Sequence, residues 1–311
     1  MLRTQSLLKL TTIIALVCLI VGALAPNLIT QRTRPLSFKE DISITMGPAK
    51  AQIARCAAED DCTGETQELA ITRHSTTAKT DVDDAAAQSE SFIEATLDGE
   101  KVAEISHSAL LNRESAYPMA GTDTSQEFSI RGGAVLNAEG ADIDGIDFFF
   151  PSQTEQRSYP YFDPVMQKAE PIDYLTDEKI DGIPTYSFYQ QRQGINVSHL
   201  FDDQRFPENL SPYYAVERTV WVEPTTGRVV DVKEKMHIYL AHSKQEEPDE
   251  GSTLFATEIS WDQASTQAEL DKVKNTVLAI QVVSIIGWAL AIIGAVLLLF
   301  CAWRFSRQRE K

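Results

Sequence analysis

The residues best suited to acid–base or metal chemistry are scattered along the chain. The five histidines share no zinc-ligand spacing such as His-Glu-x-x-His; they are His74, His107, His199, His237 and His242. The sequence contains neither a Gly-x-Ser-x-Gly nucleophile elbow nor a phosphate-binding loop of the Gly-x-x-x-x-Gly-Lys type. We therefore predict no catalytic residue, no metal ligand and no cofactor, and we expect that the protein is not an enzyme.

Two cysteines in the middle of the chain are spaced for a local disulfide. Cys56 and Cys62 have five residues between them, and no histidine lies within ten residues of the pair. In an oxidising compartment such a pair most simply forms a disulfide, whereas a metal site would need further ligands. The remaining cysteines, Cys18 and Cys301, lie in apolar runs, where a small apolar packing role is expected.

Aromatic residues are concentrated between positions 148 and 189, where three phenylalanines are consecutive. If these three lie in a strand they cannot all face one core, because successive side chains point to opposite faces. One interpretation is a strand buried on both faces, and the other is a cavity or groove for an apolar ligand. The candidates for the lining of such a cavity are Phe148, Phe149, Phe150, Tyr161, Phe162 and Trp221.

Long apolar runs near both ends predict two transmembrane helices, at residues 7–29 and 276–303. Each run exceeds the roughly 20 residues that cross a bilayer. The first can also be interpreted as a signal peptide, because Ala23-Leu24-Ala25 has the form of a cleavage site. In the second run, Gly287, Ala291 and Gly294 lie along one face, where another helix could approach closely. Ordinary small residues in a span are the alternative interpretation.

The charge distribution predicts the orientation of the chain. Basic residues flank both apolar runs, in tails of residues 1–6 and 304–311, which predicts that both termini are cytoplasmic. Arg3 and Lys9 contribute +2 and the C-terminal tail contributes +3 to the formal net charge of −17, which leaves −22 between the two ends. We therefore expect residues 30–275 to form an acidic exported domain, and such acidity disfavours nucleic acid as a partner.

The exported segment alternates with the period of β-strands. Asp98-Gly99 is a two-residue turn signal between residues 91–97 and 100–109, and Pro224–Gly227 separates residues 217–223 from residues 228–240. Further predicted elements are strands at 67–77, 128–137 and 185–191, a polar loop at 80–90, and a helix at 263–274 that continues into the second apolar run. The predicted fold class is a mainly β exported domain of one or two sandwich-like lobes, flanked by N- and C-terminal transmembrane helices.

Five motifs in a fixed order resemble one protein family. They are Phe148-Phe-Phe-Pro151, Tyr159-Pro-Tyr-Phe-Asp-Pro164, Pro171-Ile-Asp-Tyr174, Asp181-Gly-Ile-Pro-Thr-Tyr-Ser-Phe188 and Trp221-Val-Glu-Pro-Thr-Thr-Gly-Arg228. In these motifs, in the terminal apolar runs and in the cysteine pair, the chain is similar to a family of mycolic-acid-bearing actinobacteria. Its members are often named porin PorA-like, and one branch is known as polar growth factor A.

The resemblance implies work on envelope lipids. It implies maturation of lipomannan and lipoarabinomannan, and handling of trehalose monomycolate beside an RND-type mycolate-exporting transporter. The leading hypothesis is a non-enzymatic cell-envelope factor that binds a lipid or glycolipid in the periplasm and supports envelope assembly and polar growth. The alternative is a membrane-anchored scaffold for lipid transporters or glycosyltransferases without direct lipid binding, and an enzyme acting on lipoglycan comes third.

The expected location is the cytoplasmic membrane, with the main domain in the periplasm at the cell poles. The expected partners are the membrane, a lipid or glycolipid, and the RND-type transporter. A pore would need a closed barrel or an assembled bundle, and the acidic, polar domain does not suggest one. From the sequence alone, the name porin is therefore not expected to describe the function.

Overall fold

The computed structural model describes residues 2–33, 36–56, 62–121, 124–130, 135–139, 143–201, 206, 209–247 and 252–309. These residues belong to two compact units. The helical unit consists of Met1–Arg34 together with Lys274–Lys311. The sheet unit, Pro35–Val273, contains every strand of the described residues.

The sheet unit is built from twelve antiparallel strands. Their bounds are β1 (Asp41–Cys56), β2 (Cys62–Lys79), β3 (Ala86–Leu97), β4 (Glu100–Asn112), β5 (Ser125–Ile130), β6 (Val135–Glu139), β7 (Tyr159–Asp163), β8 (Lys168–Ile180), β9 (Ile183–Asn196), β10 (Ser211–Glu223), β11 (Arg228–Ala241) and β12 (Thr253–Ser260). A short 3-10 helix, Ser198–Leu200, lies between β9 and β10.

All twelve strands form one sheet in the order β6-β5-β4-β3-β2-β1-β12-β11-β10-β9-β8-β7. Along the chain, β1 to β6 are added one after another from the centre of the sheet to one edge. The strands β7 to β12 are then added from the opposite edge back to the centre. The pairing of β1 with β12 joins the two halves into a continuous ladder. The mainly β prediction is confirmed, but the described residues form a single sheet, so the expected sandwich-like lobes are wrong.

The link between the two sheet edges supplies the second layer of the core. We call residues 143–154 the crossing segment; Phe148, Phe149 and Phe150 lie in it, outside any strand, and all three are buried. The crossing segment is anchored to β7, where Ile146 N donates to Pro160 O over 2.9 Å. It is also anchored to the β10–β11 turn, where Phe150 N donates to Gly227 O over 3.2 Å. The interpretation of a strand buried on both faces is therefore wrong.

The two hairpins predicted from turn chemistry are confirmed. Asp98 and Gly99 connect β3 to β4 with φ values of 48° and 82°, which is the positive-φ pair that a two-residue turn requires. In the second hairpin, Glu223 pairs with Arg228, and the Glu223 carboxylate accepts hydrogen bonds from the backbone N–H groups of the turn. The predicted loop at 80–90 is wrong in its second half, because β3 begins at Ala86 and pairs with the end of β4.

The helix α2 (Gln263–Arg309) confirms the prediction that residues 263–274 continue into the second apolar run. Asp262 caps its start, because its Oδ1 accepts the N–H of Ser265 over 2.7 Å. Within the sheet unit, Arg228 binds both Glu269 in the first turns of α2 and Glu40 ahead of β1, at 2.8 and 2.7 Å. These ion pairs fix the beginning of α2 against the sheet.

The helical unit contains α1 (Leu2–Thr33) and the remainder of α2. Among the described residues, one helix is long and apolar enough to cross a membrane, at Gln263–Phe305. It exposes large apolar side chains such as Trp288 (69%) and Leu299 (71%), as expected for a lipid-facing surface. The apolar part described in α1, Leu10–Ala25, is shorter than the roughly 20 residues needed, so only one of the two expected spans has the length and composition of a membrane-crossing helix among the described residues.

The two helices of this unit approach each other through glycines. A Cβ atom on Gly22 would lie 2.6 Å from both Ala291 N and Gly287 O, and one on Gly294 would lie 2.7 Å from Ala15 O. Such distances leave no room for a side chain, so the two backbones are in direct contact. This result confirms that another helix packs closely against the small residues of the second apolar run.

Candidate functional site

Residues from both halves of the sheet line one cavity of about 890 Å³. Its wall is largely apolar and is formed by alternate residues of the strands, which point to the same face. The apolar residues include Ile44, Met46, Leu69, Ile71, Ile93, Val232, Met236 and Phe255. The crossing segment covers the cavity at Phe148, whose ring stacks on Trp261 with 6.0 Å between the ring centroids.

The structure brings together three of the six aromatic residues predicted to share a lining. Phe148, Tyr161 and Phe162 line the cavity. Phe149 faces a small neighbouring hollow, and Phe150 packs in the core, 5.0 Å from the ring of Phe188.

The sixth predicted residue, Trp221, also lies away from the cavity wall. Its Nε1 donates a hydrogen bond to Glu178 over 2.9 Å at the protein surface. It sits on the opposite side of the strand from Val220 and Val222, which are buried. The alternation of side chains along β10 therefore points Trp221 away from the cavity.

A first charged cluster ties the crossing segment to the sheet. Asp147 forms an ion pair with Arg73 of β2, and its Oδ2 lies 2.6 Å from His107 Nε2 of β4. Arg73 also donates to Ser75 over 3.0 Å and to Ser91 over 2.9 Å. Burial by itself would raise the pKa of Asp147, but Arg73 and His107 outweigh burial and hold that pKa well below its usual range.

A second charged cluster joins β7, β10 and β11. Arg218 pairs with Asp163, whose Oδ1 also accepts the backbone N–H groups of Val165 and Met166 at 2.8 and 3.0 Å. Glu234 Oε1 lies 3.2 Å from Arg218 Nε, yet Nε makes no hydrogen bond within the described part of the chain. Asp163 thus pairs with Arg218 and accepts two backbone N–H groups, whereas Arg218 Nε is a buried donor without a hydrogen bond among the described residues.

Burial shapes the titration of this second cluster. It raises the pKa of Glu234 above its usual value, against the opposing effect of Arg218. It also raises the pKa of Tyr161 and of Tyr214, so both phenols stay protonated. Tyr214 lies beside Arg218 and is 1% exposed, but its Oη has no hydrogen-bond partner among the described residues.

Carboxylates outnumber the basic groups in the cavity wall. The basic residues are Arg73 and Arg218, and the acidic ones are Asp98, Glu100, Asp147, Asp163 and Glu234. Asp98 lies in the β3–β4 turn and Glu100 is the first residue of β4; both are exposed, whereas the two clusters lie deeper, beside buried aromatic rings. The cavity therefore combines an apolar wall with an excess of negative charge.

Sequence reasoning missed most of these charged residues. Arg218 did carry a signal, because it occupies an inward position in β10, where Tyr214, Val216, Val220 and Val222 alternate as buried residues. Asp147 carried no such signal, because no local sequence pattern shows which distant strands the crossing segment contacts.

No group of three or more possible metal ligands occurs among the described residues. The predicted cysteine pair lies at the end of the β1–β2 hairpin, where the register places Cys56 opposite Cys62. The two side chains lie outside the described residues, so the disulfide stays a prediction. Peptide mapping of the non-reduced protein would test it, by a linked peptide that separates on reduction.

Comparison with known proteins identifies the family. The model of the family described as Porin PorA matches residues 9–303. A protein named Porin PorA from Corynebacterium resistens is 26% identical over 223 residues, which cover 50% of this chain and 54% of that protein. Another of the same name from Corynebacterium amycolatum is 24% identical over 233 residues, which cover 60% of each. The chain thus spans about half to three fifths of the length of these relatives.

These findings correct the function and the location that were expected from the sequence. Porins are channel proteins of an outer membrane, so the expected lipid- or glycolipid-binding envelope factor, together with its scaffold alternative, is contradicted. The expected cytoplasmic membrane location with a periplasmic domain is contradicted as well. The lipid and RND-type transporter partners have no support from the relatives, but membrane association agrees with a porin. The family resemblance itself is confirmed, and the chain belongs to the Porin PorA family.

Proposed function

We propose that this protein is a non-enzymatic, membrane-associated channel protein that admits small solutes through the cavity of its sheet unit. The observation that carries the proposal is the cavity of about 890 Å³, which lies within one sheet and has charged side chains in its wall. Channels commonly set their selectivity with charged side chains along the path of the solute. The name of the relatives, porin, supports the same function.

Cations are the solutes that this cavity favours. Asp98 and Glu100 stand at its exposed end, and the formal net charge of the whole chain is −17. A cleft lined by one sign of charge concentrates ions of the opposite sign. The aromatic face of Phe148, held by the crossing segment, would act as the apolar constriction that restricts passage.

We further propose that both α1 and α2 cross the membrane, and that residues 30–275 function as one domain between them. Gly22 and Gly294 support the first statement, because each allows the two helix backbones to meet. Close backbone contact through small residues is a common packing mode of helices in a bilayer.

Liposome swelling with the purified full chain would test the channel. We expect swelling in isosmotic lysine hydrochloride to be faster than in sodium glutamate, and in both to exceed the rate of protein-free vesicles. The double variant D98N/E100Q should reduce the preference for the cation. The matched control D84N/E258Q removes two exposed acidic side chains outside the cavity wall and should leave the preference unchanged.

Swelling no faster than in protein-free vesicles would contradict the channel. A preference that falls equally in both double variants would contradict the assignment of selectivity to the cavity, because general surface charge would then explain it.

A further inference from the structure

We propose that the cavity is a specific binding site for an organic cation with an apolar body, whose charged head lies at Glu234 and Tyr214. This inference rests on the cavity of the proposed function and names the class of solute that the cavity holds. It needs no conduction to be true, so it can be tested separately.

The size and wall of the cavity fit an organic molecule better than a bare ion. About 890 Å³ is in the upper part of the range of sites that bury drug-sized ligands. Aliphatic side chains of β1 to β4, β11 and β12 line this space. A hydrated inorganic ion would gain nothing from such a wall, whereas an apolar body gains free energy by leaving water.

The polar end of the cavity has two buried polar atoms without a hydrogen bond among the described residues. The first is Tyr214 Oη, in the cavity wall. The second is the donor Arg218 Nε, which lies 3.2 Å from Glu234 Oε1 without a hydrogen bond, whereas another nitrogen of Arg218 is bonded to Asp163. Buried polar groups are normally paired, so these atoms mark the place where the polar head of a ligand fits.

The charge balance at this end decides the sign of the ligand head. One guanidinium, that of Arg218, faces two carboxylates, those of Asp163 and Glu234. The other cluster is balanced, because Arg73 pairs with Asp147. An ammonium group placed between Glu234 and Tyr214 would restore neutrality and could donate to the Glu234 carboxylate and to Tyr214 Oη, whereas a carboxylate or phosphate head would add to the excess negative charge.

Isothermal titration calorimetry on the full chain in lipid nanodiscs would test the site, with empty nanodiscs as the blank. Three probes share one apolar body: 4-phenylbutylammonium, 4-phenylbutanol and 4-phenylbutanoate. We expect the ammonium to bind about 10- to 100-fold more tightly than the alcohol, because a hydrogen bond to a charged group is stronger than a neutral one. The butanoate should bind most weakly.

Two variants place the head group. Glu234→Gln should reduce the affinity for the ammonium to about that for the alcohol, and Tyr214→Phe should weaken both. Glu258→Gln, which changes an exposed carboxylate on the neighbouring strand, should leave all three affinities unchanged. Thermal unfolding of each variant confirms that it is folded.

Equal binding of ammonium and alcohol would overturn the proposal, as would an ammonium preference that persists in Glu234→Gln. Tighter binding of the butanoate would assign the site to the arginines instead, and binding of none of the probes would also overturn it. Because no flux is measured, a binding site without swelling would refute the channel alone, and swelling without binding would refute this site alone.

Discussion

Removal of the Asp147 carboxylate is the sharpest test of how the crossing segment is held. In Asp147→Asn, the segment keeps its backbone hydrogen bonds but loses its ion pair with Arg73. The guanidinium then stays largely buried without a counter-charge, since the Arg73 side chain is 13% exposed.

The size of the effect follows from the surroundings of Arg73. Breaking a fully buried pair by removing one partner costs about 3–5 kcal/mol. Arg73 retains Ser75, Ser91 and the face of the Phe148 ring, 4.6 Å away, so we expect a smaller loss of about 2–3 kcal/mol. For a unit of this size, that loss lowers Tm by roughly 4–12 °C.

Thermal unfolding followed by circular dichroism measures the change, with Asp84→Asn as the control. Asp84 also pairs with a basic residue, Lys79, but both side chains are exposed, at 87% and 61%, so its loss should leave Tm unchanged. Trp261 fluorescence provides a second readout, because Phe148 of the crossing segment stacks on this indole.

The effect of Asp147→Asn should depend on pH in one direction. The folded-state pKa of Asp147 lies below its unfolded-state value of about 3.9, so the carboxylate stabilises the fold above that value and loses this contribution as pH falls. The difference in Tm should therefore be equal at about pH 7 and pH 5 and smaller at about pH 3. Equal Tm values for Asp147→Asn and Asp84→Asn at neutral pH would refute the anchoring role.

Three further predictions concern other parts of the structure. Glu234→Gln should raise Tm at about pH 7, because burial raises the folded-state pKa of Glu234 and penalises its charge. This gain in Tm should vanish below about pH 4, where the carboxyl is protonated in both the folded and the unfolded state. A lower Tm at neutral pH would contradict a destabilising charge at Glu234. Gly227→Ala should cost about 1–3 kcal/mol in chemical denaturation, more than Gly182→Ala, since both positions have positive φ but only at Gly227 does a Cβ atom meet the crossing segment, at 2.3 Å. Gly294→Leu should separate the paired helices and slow the migration of the chain in SDS gels, whereas Val296→Leu, at an exposed position, should migrate like the wild type.

Local parts of the fold were predictable from the sequence. Asp98-Gly99 specifies its hairpin because both residues tolerate the positive φ values observed there. The β10–β11 hairpin was equally readable from the alternation on both arms. In each case, the deciding interactions lie within a few residues of one another.

The architecture of the sheet was not predictable in the same way. The halves join where Ala51 pairs with Thr257, a contact between residues about two hundred positions apart that no turn signal announces. Residues 80–90 are mostly small and polar and were predicted as a loop, although Ala86 and Ala87 are fully buried in β3. Period and composition identify strands, but pairing with distant partners decides where they lie.

The candidate site depends on distant pairing even more strongly. Three residues of the aromatic motifs, Phe148, Tyr161 and Phe162, line the cavity. The charged residues come from separate strands and from the crossing segment, so their pairing needed the fold. Arg218 is the exception, because a charged residue in an alternating buried strand is itself unusual.

Single-channel recording in planar lipid bilayers tests the channel most directly. Purified full chain should produce stepwise conductance in potassium chloride, and a salt gradient across the bilayer should give a reversal potential of the sign that shows cation preference. D98N/E100Q should move that potential toward zero, because both carboxylates stand at the exposed end of the cavity. Bilayers that remain as silent as protein-free ones, with insertion of the chain verified, would contradict the account.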